Sequence, residues 1–184
     1  MTAPPDVALA RKMAFVEQLR GMSIAVETGA ANKQHYEVSV GVLAAALGPR
    51  MKYSCCLYER GDETLAEAEE AMLASYVVKA ELKDGMRILD LGCGWGSGAL
   101  YFAEKLPGAK VVAFSNSKKQ KAFIDGQAEE KGLKNLEVIT GDVTDYEFDP
   151  ESFDRVVSIE VCPPPAELSF RTLAHGYPSR CLST

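Results

Sequence analysis

Three glycines at alternate positions, Gly92, Gly94 and Gly96, follow a carboxylate, Asp90, that stands near the end of the apolar run Ile88-Leu89-Asp90-Leu91. Residues of these types in this order hold a ligand. Only glycine lets a backbone turn sharply at positive φ and touch a ligand that a β-carbon would push away. A short strand that ends this way and leads into a helix is a nucleotide-binding turn. The same residues with no ligand would make a tight strand–helix connection.

The spacing discriminates among nucleotides. Counted from Gly92, the dinucleotide fingerprint G-x-G-x-x-G needs its third glycine at position 97, which is Ser97. Asp90 argues the same way. A dinucleotide sets its pyrophosphate over the N-terminus of the following helix, where N–H groups and the helix dipole favour anions. A carboxylate there repels phosphate. S-adenosylmethionine has no phosphate and carries a sulfonium and an ammonium, so D-x-G-x-G-x-G fits a methyl-donor site.

Such a turn needs strands and helices to position it. Upstream, Leu9, Met13, Val16 and Leu19 form one helical face. A second helix is predicted from about Asn32, with Tyr36, Val40, Leu43 and Leu47 as its stripe and Gly48-Pro49 as its stop. A third begins at Thr64, where Thr64-x-x-Glu67 makes a capping box, with Leu65, Ala68, Met72 and Tyr76 facing inward. From residue 87 the pattern alternates. Strands are predicted at Arg87–Leu91, Lys110–Phe114, Leu136–Thr140 and Phe153–Ile159, and helices at Ser97–Leu106 and Ser117–Lys131. Alternation of this kind indicates a parallel sheet covered on both faces, with the ligand at the carboxyl ends of the strands.

Composition sets the outer limits. The 184 residues are 47% hydrophobic and 25% charged, with net charge −6. With no Lys/Arg-rich patch, nucleic acid is an unfavourable partner. The five cysteines contain no C-x-x-C pair and there are two histidines, His35 and His175, so no metal framework is evident. An odd cysteine count without a secretory leader suggests free thiols in a reducing compartment, and no apolar run reaches membrane-spanning length. A cytoplasmic location is expected.

Further segments sharpen the reading. Lys52-Tyr53-Ser54-Cys55-Cys56 with Leu65–Glu69, Ser115-Asn116-Ser117-Lys118-Lys119-Gln120, Thr140-Gly141-Asp142-Val143 and Arg155–Glu160 join the Leu89–Ser97 run. Together, over about residues 30 to 160, they resemble the coclaurine N-methyltransferase-like branch of the cyclopropane-fatty-acyl-phospholipid synthase family, class I S-adenosylmethionine-dependent methyltransferases. The resemblance implies an α/β fold with a class I methyltransferase (Rossmann-like) parallel sheet. It would be incomplete at about four strands, with an N-terminal helical cap at 1–84, a partial donor-binding domain at 85–160 and an irregular, disordered tail at 161–184. The acceptor would be a small-molecule amine or a lipid.

The same resemblance assigns roles at the donor site. Gly92, Cys93, Gly94 and Gly96 would pass beneath the methionine part. Asp90 would receive the ammonium through water or neighbouring N–H groups, or else cap the next helix. Tyr53 and Ser54 would close over the methionine end, or else form a packed aromatic beside a surface serine. The second strand ends at Ser115-Asn116 with no acid, as in this branch, which places Asn116 and Gln120 at the ribose. Ser117-x-x-Gln120 is also a capping box. Asp142, followed by Val143, would accept the adenine amino group, or be a solvated turn acid, and Ile159 completes the set. Trp95 would lie over the donor or pack in the core.

Beyond Glu160 the pattern breaks. The family continues from Ser-Ile-Glu to Met-Phe-Glu-His, whose Glu-His pair handles protons. Here Val161-Cys162-Pro163-Pro164-Pro165 follows, and four of the nine prolines lie in residues 161–184. No catalytic residue is therefore assigned. Loss of general acid–base assistance typically costs ~10²–10⁴ in rate. The expectation is a truncated or mis-spliced frame with impaired turnover, and a bare fourth-strand edge that promotes self-association. Alternative functions are a non-catalytic donor-binding module or a lipid-modifying synthase.

Overall fold

The computed structural model describes residues 4–20, 40–143 and 146–159. The start of the second helix at Asn32, the break after Glu160 and the 161–184 tail lie outside the described residues. The chain divides into two compact units, Met1–His35 and Tyr36–Thr184.

The first unit contains α1 (Pro5–Arg20), with Asp6 in the first turn where the helix dipole favours an anion. Of its expected stripe, Leu9 and Met13 are exposed and Val16 is half-buried.

The second unit begins with α2 (Val40–Ala46), whose half-buried Val40 and Leu43, with Leu47 just beyond, keep the expected spacing. In α3 (Leu65–Lys79) both halves of the Thr64–Glu67 capping box form. Its buried face is Ala68, Glu69, Met72, Leu73 and Tyr76. Leu65, in the first turn, stays 43% exposed, and a carboxylate, Glu69, occupies the core in its place. The helix ends with Glu81 at φ 55°, and the Leu82 and Glu81 N–H groups donate to the Val77 and Val78 carbonyls. That is a left-handed C-terminal cap at a non-glycine residue.

Four strands form one parallel sheet: β1 (Arg87–Leu91), β2 (Lys110–Ser115), β3 (Leu136–Thr140) and β4 (Arg155–Val157), in the order β3-β2-β1-β4. β1 pairs with β2 from Arg87↔Lys110 to Leu91↔Phe114, and β2 with β3 up to Ser115↔Thr140. β4 is shorter than the expected Phe153–Ile159, because only Ile88–Asp90 of β1 is paired with it.

Two helices connect the first three strands, α4 (Ser97–Lys105) and α5 (Lys118–Glu130). Right-handed crossovers that step in one direction across a sheet put their helices on one face. That face buries Ile88, Val111, Ala113, Val138 and Val157 against Tyr76, Leu100, Phe102 and Ile124. The step from β3 to β4 reverses direction. Among the described residues, the opposite face (Leu89, Leu91, Val112, Phe114, Val156) meets the aromatics Tyr146, Phe148 and Phe153 of the β3–β4 connection rather than a helix. The expected cover on both faces is present: helices on one, and on the other, among the described residues, the aromatics of that connection.

Candidate functional site

In an open parallel sheet the ligand crevice lies at the carboxyl ends, where the strand order reverses. Here that point falls between β1 and β4. The registers bring Gly92, Ser115, Thr140 and Ile159 to that one end of the sheet. At roughly 4.8 Å per strand the row spans about 14 Å. Every candidate between Asp90 and Ile159 lies on or just beyond it.

The three glycines of the turn do different work. All have positive φ, at 77° for Gly92, 54° for Gly94 and 82° for Gly96. The Gly92 and Cys93 N–H groups donate to the Phe114 carbonyl at 3.0 and 3.1 Å, which lashes the turn to the end of β2. A β-carbon on Gly96 would stand 2.6 Å from Ile124 Cγ1, so Gly96 is where α5 packs against the turn. A β-carbon on Gly94 would meet nothing within 4 Å. Gly94, unlike Gly96, has open space over it. Trp95 is buried edge-to-face on Phe123 at 5.5 Å, a core aromatic.

Asp90 is 3% exposed, and its carboxylate accepts from the Ala99 N–H in the first turn of α4. Burial pushes its pKa from 3.8 up to about 7, a rise that the Ala99 hydrogen bond partly offsets. The helix-cap alternative is therefore the contact present. Burial, and then the charge of Asp90, also push the Cys93 thiol upward, so it is no nucleophile.

After β2, Ser115 Oγ donates to Gln120 Oε1 at 2.5 Å and accepts from the Ser117 N–H at 3.0 Å. Ser117 Oγ caps α5 through the Gln120 N–H at 3.3 Å. Half of the expected capping box forms, while the Gln120 side chain turns to Ser115. Ser115 and Gln120 are buried and Asn116 is exposed. After β3, the Gly141 N–H donates to the Ser115 carbonyl at 3.0 Å and leaves Asp142 exposed. Val143 packs with the aromatic face and Ile159 with the helical one. Ser158 Oγ donates to the Leu91 carbonyl at 3.0 Å, tying β4 to the turn.

Tyr53 and Ser54 belong to the loop before α3. Tyr53 is 69% exposed, and Ser54 Oγ accepts from Lys52 Nζ. Two groups escaped the sequence reading: Ser97 Oγ and Thr140 Oγ1 are buried without a hydrogen-bond partner, both at the carboxyl end of the sheet. Ser97 ends the Leu89–Ser97 run and Thr140 begins Thr140-Gly141-Asp142-Val143, which is the signal the sequence offers. Among the described residues, no group of three or more His, Cys, Asp or Glu side chains could hold a metal ion.

The family model for mycolic acid cyclopropane synthetase matches residues 26–164. The chain belongs to that family. Within the family, it is 39% identical over 153 residues to (S)-coclaurine N-methyltransferase of Thalictrum flavum subsp. glaucum, covering 83% of this chain and 42% of that protein. The crystal structure of a coclaurine N-methyltransferase bound to N-methylheliamine and SAH superposes with a TM-score of 0.80 at 35% identity, over 88% of this chain and 46% of that one. A mycolic acid cyclopropane synthase complexed with SAH and CTAB gives 0.64 at 32%, over 73% and 46%. The fold is that of class I methyltransferases. The chain spans less than half the length of these relatives.

Proposed function

We propose that this member of the mycolic acid cyclopropane synthetase family binds S-adenosylmethionine at the β1 turn, and that the whole protein uses it to methylate a small-molecule amine. One observation carries the donor reading: Gly94 stands in a left-handed turn with open space above it, at the switch point of the sheet. The unpartnered Ser97 and Thr140 hydroxyls support it, because buried polar groups ordinarily find a partner and these lie at the same end. The residues present therefore suit the donor. The relatives support the amine, through the higher identity and TM-score of the N-methyltransferases.

In this reading the backbone of Gly92–Gly96 carries the methionine part and Asp90 holds the turn to α4, biasing the site toward a cation. Asn116 and Gln120 address the ribose, and Asp142, with Val143 and Ile159 beside it, the adenine. Tyr53 and Ser54 cover the methionine end. The bound donor supplies an electrophilic methyl on a sulfonium, and the chain's part is to orient it and exclude water. The division into a helical cap at 1–84 and a donor-binding part at 85–160 belongs to the same proposal, as does a cytoplasmic location. Among the described residues no helix is long and apolar enough to cross a membrane. The β4 edge, unpaired among the described residues, would make the chain prone to self-association, which sedimentation velocity over a range of concentrations would reveal.

Calorimetry with S-adenosylhomocysteine tests the donor site, paired with methyl-transfer assays on a panel of amines. Binding with transfer supports the full proposal. Binding without transfer to any amine reduces it to a donor-binding module, and absence of binding overturns it. Transfer to unsaturated phospholipid instead would favour the lipid reading that the family name suggests.

A further inference from the structure

Glu69 is a carboxylate with no exposed surface, set on the inner face of α3 among Ala68, Met72 and Leu73. An unpaired charge there would be strongly destabilising, so its partners matter. They are backbone. Oε2 accepts from the Arg50 N–H at 3.0 Å, and Oε1 from the Lys52 N–H at 3.1 Å. A β-carbon on Gly48 would lie 2.3 to 2.7 Å from the carboxylate, so the loop passes Glu69 as closely as a backbone can.

The rest of the loop is held to the same framework. Lys52, itself buried, donates through Nζ to the Tyr76 hydroxyl at 3.1 Å and to Ser54 Oγ, with the ammonium 5.0 Å from the centre of the Tyr76 ring. Arg50 reaches Glu104 on α4 with two hydrogen bonds of 2.7 and 3.0 Å and also binds Glu70. Five residues after Lys52, the Leu57 N–H donates to the Ala68 carbonyl at 3.0 Å. Residues 52 to 57 are thus a strap anchored at both ends on α3, and the strap presents Tyr53 and Ser54.

We propose that Glu69 is a positioning residue for the donor site: through the Arg50 and Lys52 amides, with Lys52 relaying to Ser54, it fixes the strap that closes over the amino-acid part of the donor. This deepens the donor-binding reading above and rests on it. Glu69 does not touch the ligand. Its effect is confined to whatever the strap touches, and that confinement separates positioning from general support of the fold.

The test compares two ligands on the full chain by calorimetry: S-adenosylhomocysteine, and methylthioadenosine, which lacks the amino-acid part. Glu69→Gln keeps the shape but leaves only one acceptor oxygen for two N–H groups. The expected result is about tenfold weaker binding of S-adenosylhomocysteine with methylthioadenosine unchanged, the scale of one lost hydrogen bond to a charged group. Hydrogen exchange at the Arg50 or Lys52 amide should speed up while the β1 and β2 amides stay protected. Lys52→Met removes the relay without emptying the core, and the same ratio decides the matter if Glu69→Gln does not fold. Equal losses for both ligands, or no loss for either, overturn the inference and leave the donor site standing. A wild-type chain that binds neither ligand overturns the donor reading itself, and this inference with it.

Discussion

Asp90 and the glycines after it carry the sharpest single-residue consequences. The pKa of Asp90 is raised from 3.8 to about 7 in the folded chain, so the folded state holds this proton more tightly than the unfolded one. Its contribution to stability is therefore greatest below about pH 4, falls as the pH rises toward 7, and is constant beyond. Asp90→Asn keeps an oxygen for the Ala99 N–H but cannot ionise. Denaturant melts across this range should show a flatter pH dependence than wild type, and greater relative stability at pH 8. Gly94 and Gly96 separate ligand space from packing. Gly94→Ala should cost roughly 1–2 kcal/mol for its left-handed backbone and weaken S-adenosylhomocysteine binding sharply. Gly96→Ala meets Ile124 as well and should cost more, about 2–4 kcal/mol, read from melts with no ligand present. The sequence could pose the two roles of Asp90 but not choose, because a cap and a ligand contact demand the same residue at the same place.

At the scale of elements, the two ends of α3 predict opposite signs. Thr64→Ala removes a capping box formed in both directions and should destabilise by about 1 kcal/mol. Glu81→Gly relieves a side chain held at φ 55° and should stabilise by roughly 0.5–1 kcal/mol, since at 3.6 Å its ion pair with Arg155 is long and its own carboxylate end is exposed. Chemical denaturation of the two variants measures both. The start of α3 was readable from Thr64 and Glu67. The parallel sheet, too, follows from apolar strands alternating with helices, whereas the reversal that places β4 beside β1 is not contained in that pattern. What could not be read was the use of Glu69, since a carboxylate on an apolar stripe looks like a solvated position until its backbone partners are known. The length of β4 was equally hidden, because pairing depends on how far β1 runs beside it and not on its own residues.

In the second unit as a whole, Arg50 is the hub that joins separate elements. Its hydrogen bonds to Glu104 hold that carboxyl far down, at about 2 against an ordinary 4.5, and Lys131 adds a nearby charge at 3.5 Å. A depressed folded pKa gives stability that is present above about 4.5 and lost as the pH falls through 2. Glu104→Gln should therefore lower stability at neutral pH and narrow the gap to wild type as the solution is acidified, in urea melts at pH 7, 4 and 2.5. The network was not legible beforehand, as residues 50, 70, 104 and 131 share no local pattern. The turn was legible because all its chemistry lies in one short run.

The chain contains a single tryptophan, and it sits inside that run, buried against Phe123 of α5 between Gly94 and Gly96. Its light therefore comes from one place. Excited at the red edge of the indole band, the folded protein should emit at the short wavelengths of a shielded ring and shift to the red on unfolding. Because Trp95 shares its backbone with the glycine that has room above it, S-adenosylhomocysteine should alter this emission, and an unchanged spectrum at saturating ligand would mean that the turn has not been filled.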